Sequence, residues 1–144
     1  MREKRVIRYY CDFCGKGMCR RPDMARHESV CTLNPNRTCR LCEAGGEISR
    51  PVSELRGCLP KEADFKDSRG RLDDDAFYAA VNASIDDLRD AANQCPACML
   101  AALRQHGVCD MAHGFRYREE VKAYWDEVNA HLDEERHAQE LDSL

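Results

Sequence analysis

Long apolar runs are missing from this chain, and with them any stretch able to cross a bilayer as a helix. The opening residues, MREKRVIRYY, have the charge of a secretory leader, but no apolar core follows them. The expectation is a cytosolic protein with reduced thiols and no membrane partner. Histidine is absent between Glu43 and Gln94, and HExxH occurs nowhere. An open three-ligand metal site of the hydrolytic kind therefore has no candidate, and neither enzymatic activity nor a small-molecule substrate is expected. Tryptophan occurs once, and no solenoid repeat or low-complexity tract is visible. Only 43% of the 144 residues are hydrophobic, against 33% charged. A core that lean gains from cross-links.

Cysteine is what the chain has in quantity: ten of them. With thiols reduced, paired Cys-x2-Cys motifs favour a metal over disulfides. Cys11, Cys14, His27 and Cys31 follow C-x2-C-x12-H-x3-C, a zinc-ligand spacing with cysteine in the last place. Two residues between thiolates let one tight knuckle aim both sulfurs at a single ion. Three residues between His27 and Cys31 set both side chains on one helix face, a turn apart. The twelve in between hold a return strand and the first turns of that helix. Tyr9, Met18 and Met24 stand where the ββα zinc-finger family carries its core aromatic and apolar pair. The N-terminal part thus resembles that family, with methionines in place of bulkier residues.

Arg5 to Tyr10 is β-prone and reads as the first strand of the hairpin. Gly15 and Gly17 would supply the positive φ angles of the knuckle. Pro22 suits the first turn of a helix running to about Cys31, and Asn34-Pro35-Asn36 marks a turn. Ser49 would cap a short helix that starts at Pro51 and stops at Gly57. Residues 60–72 read as a polar loop. Asp73, Asp74 and Asp75 cap and open an amphipathic helix whose apolar face is Phe77, Val81, Ile85, Leu88 and Ala92. Cys95-Pro96-Ala97-Cys98 leads into a short apolar helix stopped by Gly107. From about Arg116 a long helix carries a packing stripe of Val121, Tyr124, Trp125, Val128 and Leu132, with fraying expected beyond Asp133. The fold class expected is mostly α, with a small ββα zinc finger at residues 1–36. A zinc-stabilised helical domain should follow at 37–115, then an amphipathic helix and acidic tail at 116–144.

The second metal site has two readings. Cys39 and Cys42 can pair with Cys95 and Cys98 in a closed four-thiolate tetrahedron, making two zinc ions in all. Alternatively Cys95, Cys98, Cys109 and His113 form a local C-x2-C-x10-C-x3-H finger. That would have to break the helix after Cys98, because an unbroken one carries Cys109 roughly 16 Å away. Cys19, Cys58 and Cys109 are otherwise spare, as buried small hydrophobes. A glutaredoxin-like role for Cys95-Pro96-Ala97-Cys98 lacks the preceding strand, since the residues before Cys95 read helical. An HNH nuclease, which also uses paired knuckles, lacks its histidines here.

Charge divides the chain. Residues 1–40 hold ten Lys or Arg against four acids, +6, which leaves −10 on the remainder of a chain of net charge −4. The runs HESVCTLNPNRTCRLC and NQCPACMLAALRQ resemble small cysteine-rich zinc-finger proteins encoded by bacteriophages, which would place the protein in a host cytosol. That resemblance implies the eight zinc ligands and supplies no partner. The likeness to ββα fingers implies that Arg20, Asp23 and Arg26 occupy the positions that face base edges. Lys4, Arg5, Arg8, Lys16 and Arg21 would add phosphate contacts. Weak binding to DNA or RNA through the basic finger, in a regulatory role, is the first functional expectation. A protein-interaction adaptor, directed at a host or viral protein through the acidic helices, is the second.

Overall fold

The structure, a computed structural model, describes residues 1–144. Its elements in order are strands β1 (Tyr9–Tyr10) and β2 (Gly17–Met18), then helices α1 (Arg21–Val30), α2 (Arg40–Ala44) and α3 (Val52–Arg56). A 3-10 turn at Glu62–Phe65 leads to α4 (Asp74–Ala83), α5 (Ile85–Ala91) and α6 (Pro96–His106). A second such turn at Cys109–Met111 precedes the long α7 (Tyr117–Asp142). The molecule is mostly helical, with one small antiparallel sheet in which Tyr9 pairs with Met18 and Tyr10 with Gly17. No helix is long and apolar enough to cross a membrane.

The hairpin is shorter than its β-prone sequence suggests. In this register Arg8 would face Cys19, where the return strand already bends toward α1. Arg5–Arg8 therefore have nothing left to pair with and stay exposed. Gly15 takes the positive φ of +74° that the knuckle needs. Gly17 lies in β2 and does not; a side chain there would start 3.0 Å from the Tyr10 ring. Pro22 sits in the first turn of α1 as expected.

Helix α6 is the centre of the molecule. Met99, Ala101, Ala102 and Leu103 are wholly buried, and α3, α5 and α7 all pack against it. A helix apolar on every side has no stable place except a core. It ends where Gly107 adopts the left-handed conformation at φ +76°. Asp73 caps α4 by accepting from the Ala76 amide at 3.1 Å, so the acidic run is a helix start. Phe77, Val81, Ile85, Leu88 and Ala92 are all buried. Their helix is broken, however, at Ser84, whose hydroxyl donates to the Val81 carbonyl at 2.7 Å. Such a local bond competes with the helical ladder and bends it while the apolar face continues.

Three other expectations change. The residue before α3 is Pro51 rather than Ser49, and no side chain caps that helix. The 60–72 segment is ordered by the Lys66–Leu72 bridge and by Phe65, whose ring meets Phe77 edge-on at 5.5 Å. Helix α7 runs on to Asp142 instead of fraying near Asp133, and none of its residues is fully buried. Its stripe is covered only in part. The Tyr124 hydroxyl donates to the Leu41 carbonyl at 2.6 Å, but Trp125 remains 38% and Leu132 51% exposed.

Candidate metal centres

The first ligand set is assembled by the hairpin and α1. The Cys11 amide donates to the Lys16 carbonyl and the Gly15 amide to the Cys11 carbonyl, both at 2.9 Å, closing a knuckle around Cys11 and Cys14. Glu28 on α1 accepts from the Asp12 amide at 2.9 Å and ties knuckle to helix. His27 and Cys31 then face the knuckle from the end of α1, with Cys14 Sγ 3.1 Å from His27 Nε2. All four ligand atoms lie within 4.8 Å of one another. The Cys14 thiol is lowered to about 6, chiefly by the Lys16 backbone N–H, with further help from His27 and its two partner thiols. Burial pushes Cys31 the other way. Behind the ligands only Cys11, Met24 and Cys31 are buried, with Tyr9, Met18 and Leu33 packed alongside.

The second set comes from two helix starts. Cys39 immediately precedes α2 and Cys42 lies within it; Cys95 immediately precedes α6 and Cys98 lies in its first turn. Helix starts present free N–H groups, which favour thiolates. Cys39 Sγ is 3.5 Å from Cys95 Sγ, and Cys42 Sγ is 3.5 Å from Cys98 Sγ. A tetrahedron of ~2.3 Å Zn–S bonds has sulfurs about 3.8 Å apart, so the set is already near that size. All four sit 2–5% exposed within the main core, and all ten cysteines of the chain are free thiols.

Crowding decides what the second set can do. Bonds from the Cys95 and Cys98 thiols hold Cys39 far below the usual thiol range. Burial pushes Cys42 up to about 12. Cys95 and Cys98 are also raised, first of all by their bonds to Cys39. Crowded together, the four thiols cannot all ionise on their own, because several buried anions need a compensating cation. A dication meets that need, and four thiolates without a water position make a closed, structural donor set. The Cys11 group fits a borderline-soft ion equally well, with three sulfurs and one imidazole. Each group could therefore hold one metal ion, consistent with two zinc ions. Bound zinc would act as a cross-link between the elements that supply its ligands.

The expected pairing of Cys39 and Cys42 with Cys95 and Cys98 is the one the structure brings together. The local alternative is not: α6 runs unbroken from Pro96 to His106 and carries Cys109 away from Cys98. Cys58 and Cys109 are half-buried, but Cys19 is exposed, contrary to its reading as a core thiol. Comparison with known proteins returns nothing. No protein-family model, curated protein or solved structure matches this chain. Its functional reading therefore stands on its own residues.

Arg20, Asp23 and Arg26 are gathered on one side of α1, with Asp23 3.7 Å from Arg20 and 2.8 Å from Arg26. Both arginines are largely exposed, as are Lys4, Arg5, Arg8, Lys16 and Arg21. One residue went unnoticed in the sequence except as part of the basic count. Arg37 donates from Nε to the Val30 carbonyl at the end of α1 and places Nη1 4.0 Å from Cys98 Sγ. It thus joins the two ligand sets. A cation two residues before the Cys39 knuckle was the available signal. The same junction is closed by Arg104, bonded to the Thr32 hydroxyl at 2.6 Å, and Gln105, bonded to the Thr32 carbonyl at 2.8 Å.

Proposed function

We propose that this chain is a non-catalytic two-zinc module whose basic ββα-type finger contacts nucleic acid. The row Arg20–Asp23–Arg26 carries the reading. Asp23 lies between two exposed guanidinium groups on the outer side of α1, 3.7 Å from Arg20 and 2.8 Å from Arg26, and an exposed guanidinium there can meet guanine bidentately. Surface ion pairs of this kind are worth little to stability, so both guanidinium groups stay free to exchange Asp23 for a nucleic-acid partner. The exposed cations nearby suit phosphate contacts, which are salt-sensitive and blind to sequence. A single finger of this size gives modest base preference. The cytosolic setting and the likeness to phage-encoded cysteine-rich fingers belong to the same proposal.

A second reading has an observation of its own. Helix α7 is acidic toward its end and leaves Trp125 and Leu132 exposed, which suits an adaptor for a basic protein surface. Retention of the zinc-loaded chain on DNA and RNA across a salt series separates the two. The nucleic-acid reading expects binding at ~50 mM salt that weakens steeply as salt rises. Arg20→Ala with Arg26→Ala should blunt base preference, at about 1–3 kcal/mol per specific contact. Lys4→Ala with Arg5→Ala should lower affinity evenly and flatten the salt slope. No retention at low salt overturns the nucleic-acid reading and leaves the adaptor.

A further inference from the structure

Beside the buried four-cysteine group the surface opens into a groove of about 540 Å³. One wall is α7; the other is made by the segments after Cys42 and before Cys95. Tyr124, Val128 and Leu132 give it an apolar floor, and Glu47, Glu127 and Glu135 give it acid on the rim. No lysine or arginine lines it. An occupant of matching chemistry is a short extended segment with apolar side chains between basic ones.

The chain contains such a segment. Residues 1–8 are exposed throughout, with Val6 60% and Ile7 74% accessible beside Arg2, Lys4, Arg5 and Arg8. Eight residues extend up to about 26 Å. The arm leaves the finger without folding back on the body. The finger is held along α6 from both ends, by Arg104 and Gln105 on Thr32 and by Arg37 near Cys98, while the arm lies outside the groove of its own chain. We propose that the arm of one copy occupies the groove of a second copy, and the reverse, in a two-fold dimer. Reciprocal exchange closes the assembly at two. The contact is small and charge-driven, hence weak and salt-sensitive. This dimer does not depend on nucleic-acid binding, but it engages Lys4 and Arg5, so phosphate and groove would compete for the same cations.

Sedimentation velocity on the zinc-loaded full chain tests this, at about 100 μM protein and ~50 mM salt, then at ~0.5 M salt. The expected result is a dimer at low salt and a monomer at high salt. Reversing the arm (Arg2→Glu, Lys4→Glu, Arg5→Glu) should give a monomer, as should reversing the rim (Glu127→Arg, Glu135→Arg). Mixed together, the two reversed variants should form a one-to-one dimer, because each arm then matches the other's groove. Zinc content and circular dichroism equal to wild type show that the variants are folded. Deleting residues 1–8 tests the same contact if the rim variant does not fold. A wild-type monomer under all these conditions overturns the proposal. So does a dimer that survives arm reversal or deletion, which would point to pairing through α7 alone.

Discussion

The two ligand groups are built on opposite scales. Cys11 and Cys31 lie within one short stretch of chain, whereas Cys39 and Cys95 are 56 residues apart. The first is closed by a hairpin and a ten-residue helix over three buried residues. The second is sealed inside a core of 20 buried residues, to which α3, α4, α5 and α6 all contribute. A cluster as small as the first cannot offset the conformational entropy of its own ordering, so this unit is expected to fold with a metal or not at all. The second has hydrophobic burial behind it. An ion held there would close a long loop and fix how two helix starts face each other. The same chemistry would thus create local structure in one place and lock distant structure in the other.

Removing a ligand from each group is the strongest way to test that contrast. A structural zinc contributes about 10–16 kcal/mol, comparable to or larger than the whole stability of a small domain. Cys95→Ser should release one ion and destabilise the helical part, with reduced protection across α4 and α5 in hydrogen exchange. Cys14→Ser should also release one ion, but the exchange loss should stop at the hairpin and α1. If both variants lose protection over the same residues, the division into a local and a long-range centre is wrong.

A smaller effect sharpens the comparison at the junction. Arg37 is bonded to the end of α1 and reaches toward Cys98. Arg37→Gln should leave both ions bound yet speed release from the Cys39 group to a chelator. Groups that support metal ligands typically count for about 10–100-fold in metal affinity, and the low end is expected across a 4.0 Å approach. Release from the Cys11 group should change less. An equal change at both would mean that Arg37 only braces the finger against α6.

The sequence was most legible where the chemistry is local. Each gap among Cys11, Cys14, His27 and Cys31 has a single compact geometry, so spacing alone names the group that comes together. The second group was legible as two pairs, but not as one site. Cys109 and His113 offered equally regular spacing, and only the unbroken length of α6 takes them away from Cys98. Apolar periodicity located α4 and α5 through Phe77, Val81 and Leu88. It could not show the break at Ser84, because a serine hydroxyl bends a helix without altering the pattern around it. Periodicity also marked α7 correctly and overstated its burial. A stripe records which face is apolar, not whether anything covers it, and Trp125 and Leu132 remain open to solvent. Arg37 was hidden among ten basic residues because its role depends on α1 and α6 meeting.

The central claim is that eight side chains form two closed centres of different composition. Replacing zinc by cadmium-113 and recording its resonance spectrum tests this most directly, since the metal's shift reports how many sulfurs surround it. Two signals of equal intensity are expected, one from a four-sulfur site and one from three sulfurs and an imidazole. Cys109→Ala and His113→Ala should leave both unchanged, while His27→Ala should disturb only the mixed site. A single signal, or a centre that disappears when His113 is replaced, would contradict the account.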